Sequence, residues 1–140
     1  MDSPPPAIEV AGLEKRYGDV EAVRGVDFRV EAGEPFGFLG PNGAGKSSTM
    51  RMIACVSAPT GGLLRVLGMD PAADGRRIRA RLGVVPQDDA LDSELSVREN
   101  LLIYGRYFGL PKAVIAERST RLLDFAQLAE RGHERVEALS

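Results

Sequence analysis

Apolar residues recur with two different periods along this chain, and the change of period divides it. Between Ile8 and Val30 they alternate with polar positions: Ile8 and Val10, then Val26, Phe28 and Val30. A period of two predicts half-buried strands, punctuated by Gly12, Gly18-Asp19 and Gly33. "PFGFLG", residues 35–40, predicts a short buried strand opening at a proline, which a strand tolerates at its first position. From Lys46 the spacing turns helical, with Met50, Ile53, Ala54 and Ser57 at i, i+3, i+4 and i+7. Met52 and Val56 add apolar surface on the other side, so this helix is expected to be buried on most of its circumference. "APTGG" ends it, "LLRVLG" predicts a strand, "GRRIRARLG" a short polar helix, and "GVVPQ" a strand closed by Pro86.

Beyond Ser96 the pattern is almost entirely helical. "SVRE" is a capping box, in which Ser96 caps a helix start and Glu99 reaches back to it. Leu101, Leu102, Tyr104, Tyr107 and Phe108 then give a broad apolar face. "GLP" ends that helix and Pro111 can open the next, which carries Val114, Ile115, Leu122, Leu123 and Phe125. The expected organisation is a disordered Pro-rich tail over 1–7, a β-rich and α/β part over 8–90, and a helical part over 91–140.

Composition narrows the functions available. A chain of 140 residues, 44% hydrophobic and 27% charged, fits one soluble globular domain. Its net charge of −2 gives no overall footprint for nucleic acid, so a polyanion must be gripped locally. Cys55 is the single cysteine, which rules out an internal disulfide, fits a reducing compartment and reads as core packing. No apolar run approaches the roughly 18 residues of a membrane span. "MDSPPPAIEV" lacks the basic-then-apolar order of a secretory signal.

Against that plain background, Gly40-Pro41-Asn42-Gly43-Ala44-Gly45-Lys46-Ser47 matches G-x-x-x-x-G-K-[ST]. The residue types follow from the chemistry. Glycines let the backbone curl so that successive N–H groups point at phosphate oxygens. The helix that follows adds its unpaired N–H groups and the positive end of its dipole. Lys46 supplies a mobile charge to the β and γ phosphates, and Ser47 a hydroxyl to Mg²⁺. A chance match in a chain of this composition has a probability on the order of 0.3%. The nucleotide-binding set is therefore Gly40, Pro41, Asn42, Gly43, Ala44, Gly45, Lys46, Ser47 and Ser48.

The loop alone does not choose among GTPases, kinases, recombinases and transport ATPases. Four stretches do, because together they resemble the ATP-binding subunit of an ABC (ATP-binding cassette) transporter from about Ile8 to Ser140. "LEKRYGDVEAVRGVDFRVEAGE" is similar to that family's N-terminal β region, and "GFLGPNGAGKSS" to its phosphate loop. "LGVVPQDDAL" is similar to its glutamine loop, and "LSVRENLLIYGRYFGLP" to the opening of its helical subdomain. The wording is most similar to the multidrug, polyketide and nodulation-factor exporter branch.

The resemblance implies an α/β fold, a P-loop NTPase of ABC type. It would hold an N-terminal β-subdomain, the phosphate-loop strand and helix, and the start of a helical subdomain. It further implies that Tyr17 stacks on the adenine ring. Gln87 would approach Mg²⁺ and the attacking water, joining Lys46 in catalysis and Ser47 at the metal. Read alone, Gln87 is a polar residue after a strand, Asp88, Asp89 and Asp92 form a solvated acidic loop, and His133 is an exposed helix-end residue.

The implied cofactors are ATP and Mg²⁺. The implied partners are a membrane-spanning permease subunit and a second copy of the ATP-binding subunit, with no nucleic acid, at the cytoplasmic face of a membrane. Leu139 and Ser140 match only the first two residues of the family's signature motif. The 140 residues are accordingly expected to be the N-terminal part of a longer protein, without ATP turnover of their own and poorly folded alone. Two alternatives stay open: a soluble ABC-type ATPase of DNA repair or translation, and a non-catalytic nucleotide-binding fragment.

Overall fold

The structure, a computed structural model, describes residues 5–87 and 90–139. The chain forms two compact units, Met1–Val84 and Val85–Ser140.

The first unit is built on a long hairpin. Strands β1 (Ile8–Tyr17) and β2 (Val20–Val30) run antiparallel from Tyr17↔Val20 at the turn to Ile8↔Val30 at the open end. Gly18-Asp19 makes the turn, as the alternation suggested. Gly12 does not end a strand. It sits in a bulge between Val10 and Leu13, where the Asp27 carboxylate accepts its N–H at 2.8 Å. Strand β3 (Gly61–Val66) pairs antiparallel with the other edge of β1, giving the order β2-β1-β3. Helices α1 (Lys46–Ile53) and α2 (Pro71–Arg79) complete the unit. Helix α2 begins earlier than its polar repeat suggested, because Asp70 accepts the Ala72 N–H at 2.9 Å and Pro71 suits the first turn.

These five elements share one core of Val10, Leu13, Val23, Met52, Ile53, Leu64, Val66 and Ile78. Leu13, Met52 and Ile78 are fully enclosed, and burying each such side chain contributes about 2 kcal/mol.

Three expectations fail here. Helix α1 is only eight residues long, and its buried positions are Thr49, Met52 and Ile53. Met50 and Val56 face outward, so the helix buries one stripe and not most of its circumference. Residues 35–40 and 83–87 are not strands. A strand exists by pairing, and the three-stranded sheet gives neither segment a ladder. Instead, Phe36 and Phe38 anchor the first segment on Phe28 of β2. Their ring centroids lie 5.3 and 5.1 Å from that of Phe28. Leu39, between them and the glycine loop, is 96% exposed.

The second unit is a helical hairpin, α3 (Val97–Tyr107) and α4 (Lys112–Phe125), followed by a 3₁₀ turn over Val136–Leu139. The helices approach closely at Gly105, where a Cβ would lie 2.7 Å from Ile115 Cγ1. Ile115 and Leu123 of α4 are buried, but the buried residue of α3 is Asn100. The expected apolar face of α3 is partly open, with Tyr104, Tyr107 and Phe108 exposed.

Candidate functional site

Residues 40–48 of the first unit form a loop running into the start of α1. Gly40, Gly43 and Gly45 all hold positive φ, at 151°, 83° and 83°. Gly45 is also a point of contact, since a Cβ there would collide with the Ala22 carbonyl of β2. Only glycine allows the loop to lie this close to the hairpin. Thr49, buried one turn into α1, donates both its N–H and its hydroxyl to the Gly45 carbonyl, at 2.9 and 3.0 Å. The helix start is thereby fixed to the sheet.

Lys46 folds back over the loop. Its Nζ donates to the carbonyls of Gly40 and Pro41, both at 2.7 Å. No carboxylate among the described residues is ion-paired with it. Gly45 stands at the cap position of α1 and offers no side-chain acceptor. Among the described residues, the N–H groups of Gly43, Gly45, Lys46, Ser47 and Ser48 donate to no protein acceptor, and the Ala44 N–H turns back to Pro41 at 3.3 Å. Free donors, a helix N-terminus and a flexible ammonium suit a chain of phosphates. The exposed Ser47 adds a hydroxyl. No group of three or more His, Cys, Asp or Glu able to hold a metal occurs among the described residues.

Tyr17 lies at the end of β1, 45% exposed. The Ser57 and Ser48 hydroxyls beside its phenol lower its pKa from the ordinary value. Lys15, two positions earlier and mostly buried, reaches over the ring with Nζ 4.8 Å from its centroid. The same ammonium donates to the Ala58 carbonyl at 2.6 Å. Sequence reasoning missed Lys15. The available signal was its place in the alternating row Leu13, Lys15, Tyr17 on one face of β1.

The structure thus gathers residues 40–48 and Tyr17 in one unit. Gln87 is exposed and belongs to the second unit, as does Leu139 in the 3₁₀ turn. Ser140, Asp88 and Asp89 lie outside the described residues. Asp92 is a structural group: its carboxylate accepts the Glu94 N–H at 3.0 Å, and its backbone N–H donates to Asn100 Oδ1 at 2.9 Å. Cys55 is partly buried against the core, and burial raises its pKa.

Comparison with known proteins gives this loop its setting. Residues 23–140 match the ABC transporter family. The chain belongs to that family. It is 48% identical over 135 residues to the Nod factor export ATP-binding protein I of Ralstonia nicotianae, covering 96% of this chain and 42% of that protein. The protein of the same name from Rhizobium meliloti strain 1021 is 48% identical over 137 residues, 98% of this chain and 41% of its own length. The chain therefore spans less than half the length of these curated relatives.

Among solved structures, the ATP binding subunit of an ABC transporter superposes with a TM-score of 0.80 at 29% identity. The match covers 92% of this chain and 53% of that one. The cbiO1 protein of Clostridium perfringens, described as part of the ABC transporter complex cbiONQ, gives 0.83 at 25% identity, covering 97% and 56%. The fold is accordingly the mixed α/β fold of ABC ATPases, in part. No helix among the described residues is long and apolar enough to cross a membrane.

Proposed function

We propose that this chain binds MgATP as the phosphate-loop part of an ATPase subunit that powers export through a separate membrane-spanning subunit. The observation that carries this reading is the start of α1, where the N–H groups of Gly43, Gly45, Lys46, Ser47 and Ser48 have no protein acceptor among the described residues and Lys46 Nζ arches over them. In that role the amides and Lys46 hold the β and γ phosphates, and Ser47 ligates Mg²⁺. Tyr17 stacks on the adenine, and Gln87 approaches the metal and the attacking water. Mg²⁺ bound there neutralises charge on the phosphates. Export is favoured by the relatives, which are named for Nod factor export. The same reading places the subunit at the cytoplasmic face of a membrane, paired with a second copy of itself.

Titration with a fluorescent ATP analogue carrying a methylanthraniloyl group tests the site. Wild-type chain is expected to bind and Lys46→Ala to lose at least tenfold in affinity, because a charge-assisted contact contributes about 1.5–3 kcal/mol. Equal binding by both would refute the loop's role.

A polypeptide of these 140 residues is also proposed to bind without turnover. Phosphoryl transfer needs the attacking water both oriented and relieved of its proton, and this reading assigns a residue, Gln87, to the first task alone. Phosphate release at the rate of a full-length relative would overturn this part.

A further inference from the structure

Along β1 the residues Leu13, Lys15 and Tyr17 share one face, and they grade from core to surface at 0%, 9% and 45% exposure. A lysine so deeply set is unusual without a partner. Lys15 has two: its Nζ donates to the Ala58 carbonyl at 2.6 Å and stands 4.8 Å from the centroid of the Tyr17 ring. Ala58 lies in the loop that follows α1, so one ammonium joins the hairpin, the loop behind the phosphate-loop helix, and the aromatic ring. A ring with an anchored ammonium over one face loses freedom to turn.

We propose that Lys15 is the positioning residue of the base platform: by occupying one face of Tyr17 while anchored to the Ala58 carbonyl, it holds the ring so that its opposite face receives a planar base. This rests on the reading that Tyr17 stacks on the adenine. A ring held in place before binding loses less rotamer entropy when the base arrives. A cation over one face leaves the other for stacking, and stacking discriminates weakly among bases. Lys15 therefore contributes to affinity for the nucleoside end of the ligand and not for its phosphates.

Calorimetric titration of the intact chain with ATP and with inorganic tripolyphosphate, both with Mg²⁺, tests this. Lys15→Met keeps the aliphatic stem and removes the ammonium. It is expected to weaken ATP binding about fivefold while leaving tripolyphosphate within about 1.5-fold. Lys15→Arg, which keeps a cation and a donor, is expected to stay within about twofold of wild type for both ligands. Tyr17→Ala should weaken ATP binding, and adding Lys15→Met to it should weaken ATP no further. If Lys15→Met weakens both ligands equally, the lysine is merely structural and the proposal fails. If Tyr17→Ala weakens ATP but Lys15→Met does not, the proposal fails while the stacking reading stands. ATP binding unchanged by Tyr17→Ala would remove the stacking reading, and the proposal with it.

Discussion

Helices α1 and α3 start in opposite ways. At α3, Ser96 Oγ accepts the Glu99 N–H at 3.3 Å and the Glu99 carboxylate accepts the Ser96 N–H at 2.8 Å. The carbonyls of Glu134 and Gly132 take the Val97 and Arg98 N–H groups at 3.1 and 2.9 Å. Below this cap, buried Asn100 grips the Asp92 and Ser96 carbonyls at 2.9 and 3.1 Å. Every first-turn donor of α3 has a partner. At α1 the cap position is Gly45, and the donors of Lys46, Ser47 and Ser48 have none among the described residues. Since a helix leaves its first N–H groups without intrahelical partners, their fate separates roles. The protein satisfies those of α3, which holds a small helical unit together, and leaves those of α1 without a partner among the described residues, as the proposed phosphate site requires.

Substitutions can break this contrast, and the largest effect is expected at Gly45. Gly45→Ala forces a Cβ into the Ala22 carbonyl at a φ of 83°. It should cost about 3 kcal/mol or more and lower ATP affinity, read by chemical denaturation and by titration. A stable variant with unchanged affinity would mean the loop can move off β2 freely.

Next comes Asn100→Ala, which strands the Asp92 N–H, while the Asp92 and Ser96 carbonyls keep the backbone N–H groups of Leu95 and residue 100, and should cost about 2 kcal/mol. Hydrogen exchange should show the loss in the second unit while the β1–β2–β3 sheet keeps its protection. If Asn100→Leu restores the protection, volume rather than hydrogen bonding secures α3, and the contrast weakens.

Ser96→Ala removes the acceptor for one donor and should cost about 1 kcal/mol, seen as faster exchange at Glu99. The smallest effect is on pH. The Ser96 side chain, then its backbone N–H, hold the Glu99 carboxyl below the ordinary glutamate range. Its contribution is therefore present above that range and lost as pH falls through the lowered value. Acid should loosen the start of α3, and Ser96→Ala should reduce that pH dependence, leaving the part carried by the backbone N–H.

Much of both helix starts could be read in the sequence. The Ser96–Glu99 box and the glycine run 40–45 are local devices whose partners lie within a few residues. Gly18-Asp19 and the alternation from Ile8 to Val30 likewise placed the hairpin. The failures concern partners far along the chain. "PFGFLG" and "GVVPQ" look like strands by composition, yet the described sheet has no place for them. Met50 and Ile53 looked like one face of α1, but the sheet beneath selects Thr49, Met52 and Ile53. Asn100 carried no signal of burial, because its partners become available only when the loop at Asp92 folds over α3.

The sequence alone determined which helix leaves its first donors free and which closes its own end, because glycine at one cap and serine at the other act through their nearest backbone groups. Only the tertiary structure decided what stands around that loop. It packed Gly45 against Ala22, and it set Lys15 between the Tyr17 ring and the Ala58 carbonyl, 43 residues away in the chain. Such contacts join segments whose separation no local pattern encodes, and they form only when burial of the shared core brings β1, β2 and α1 together.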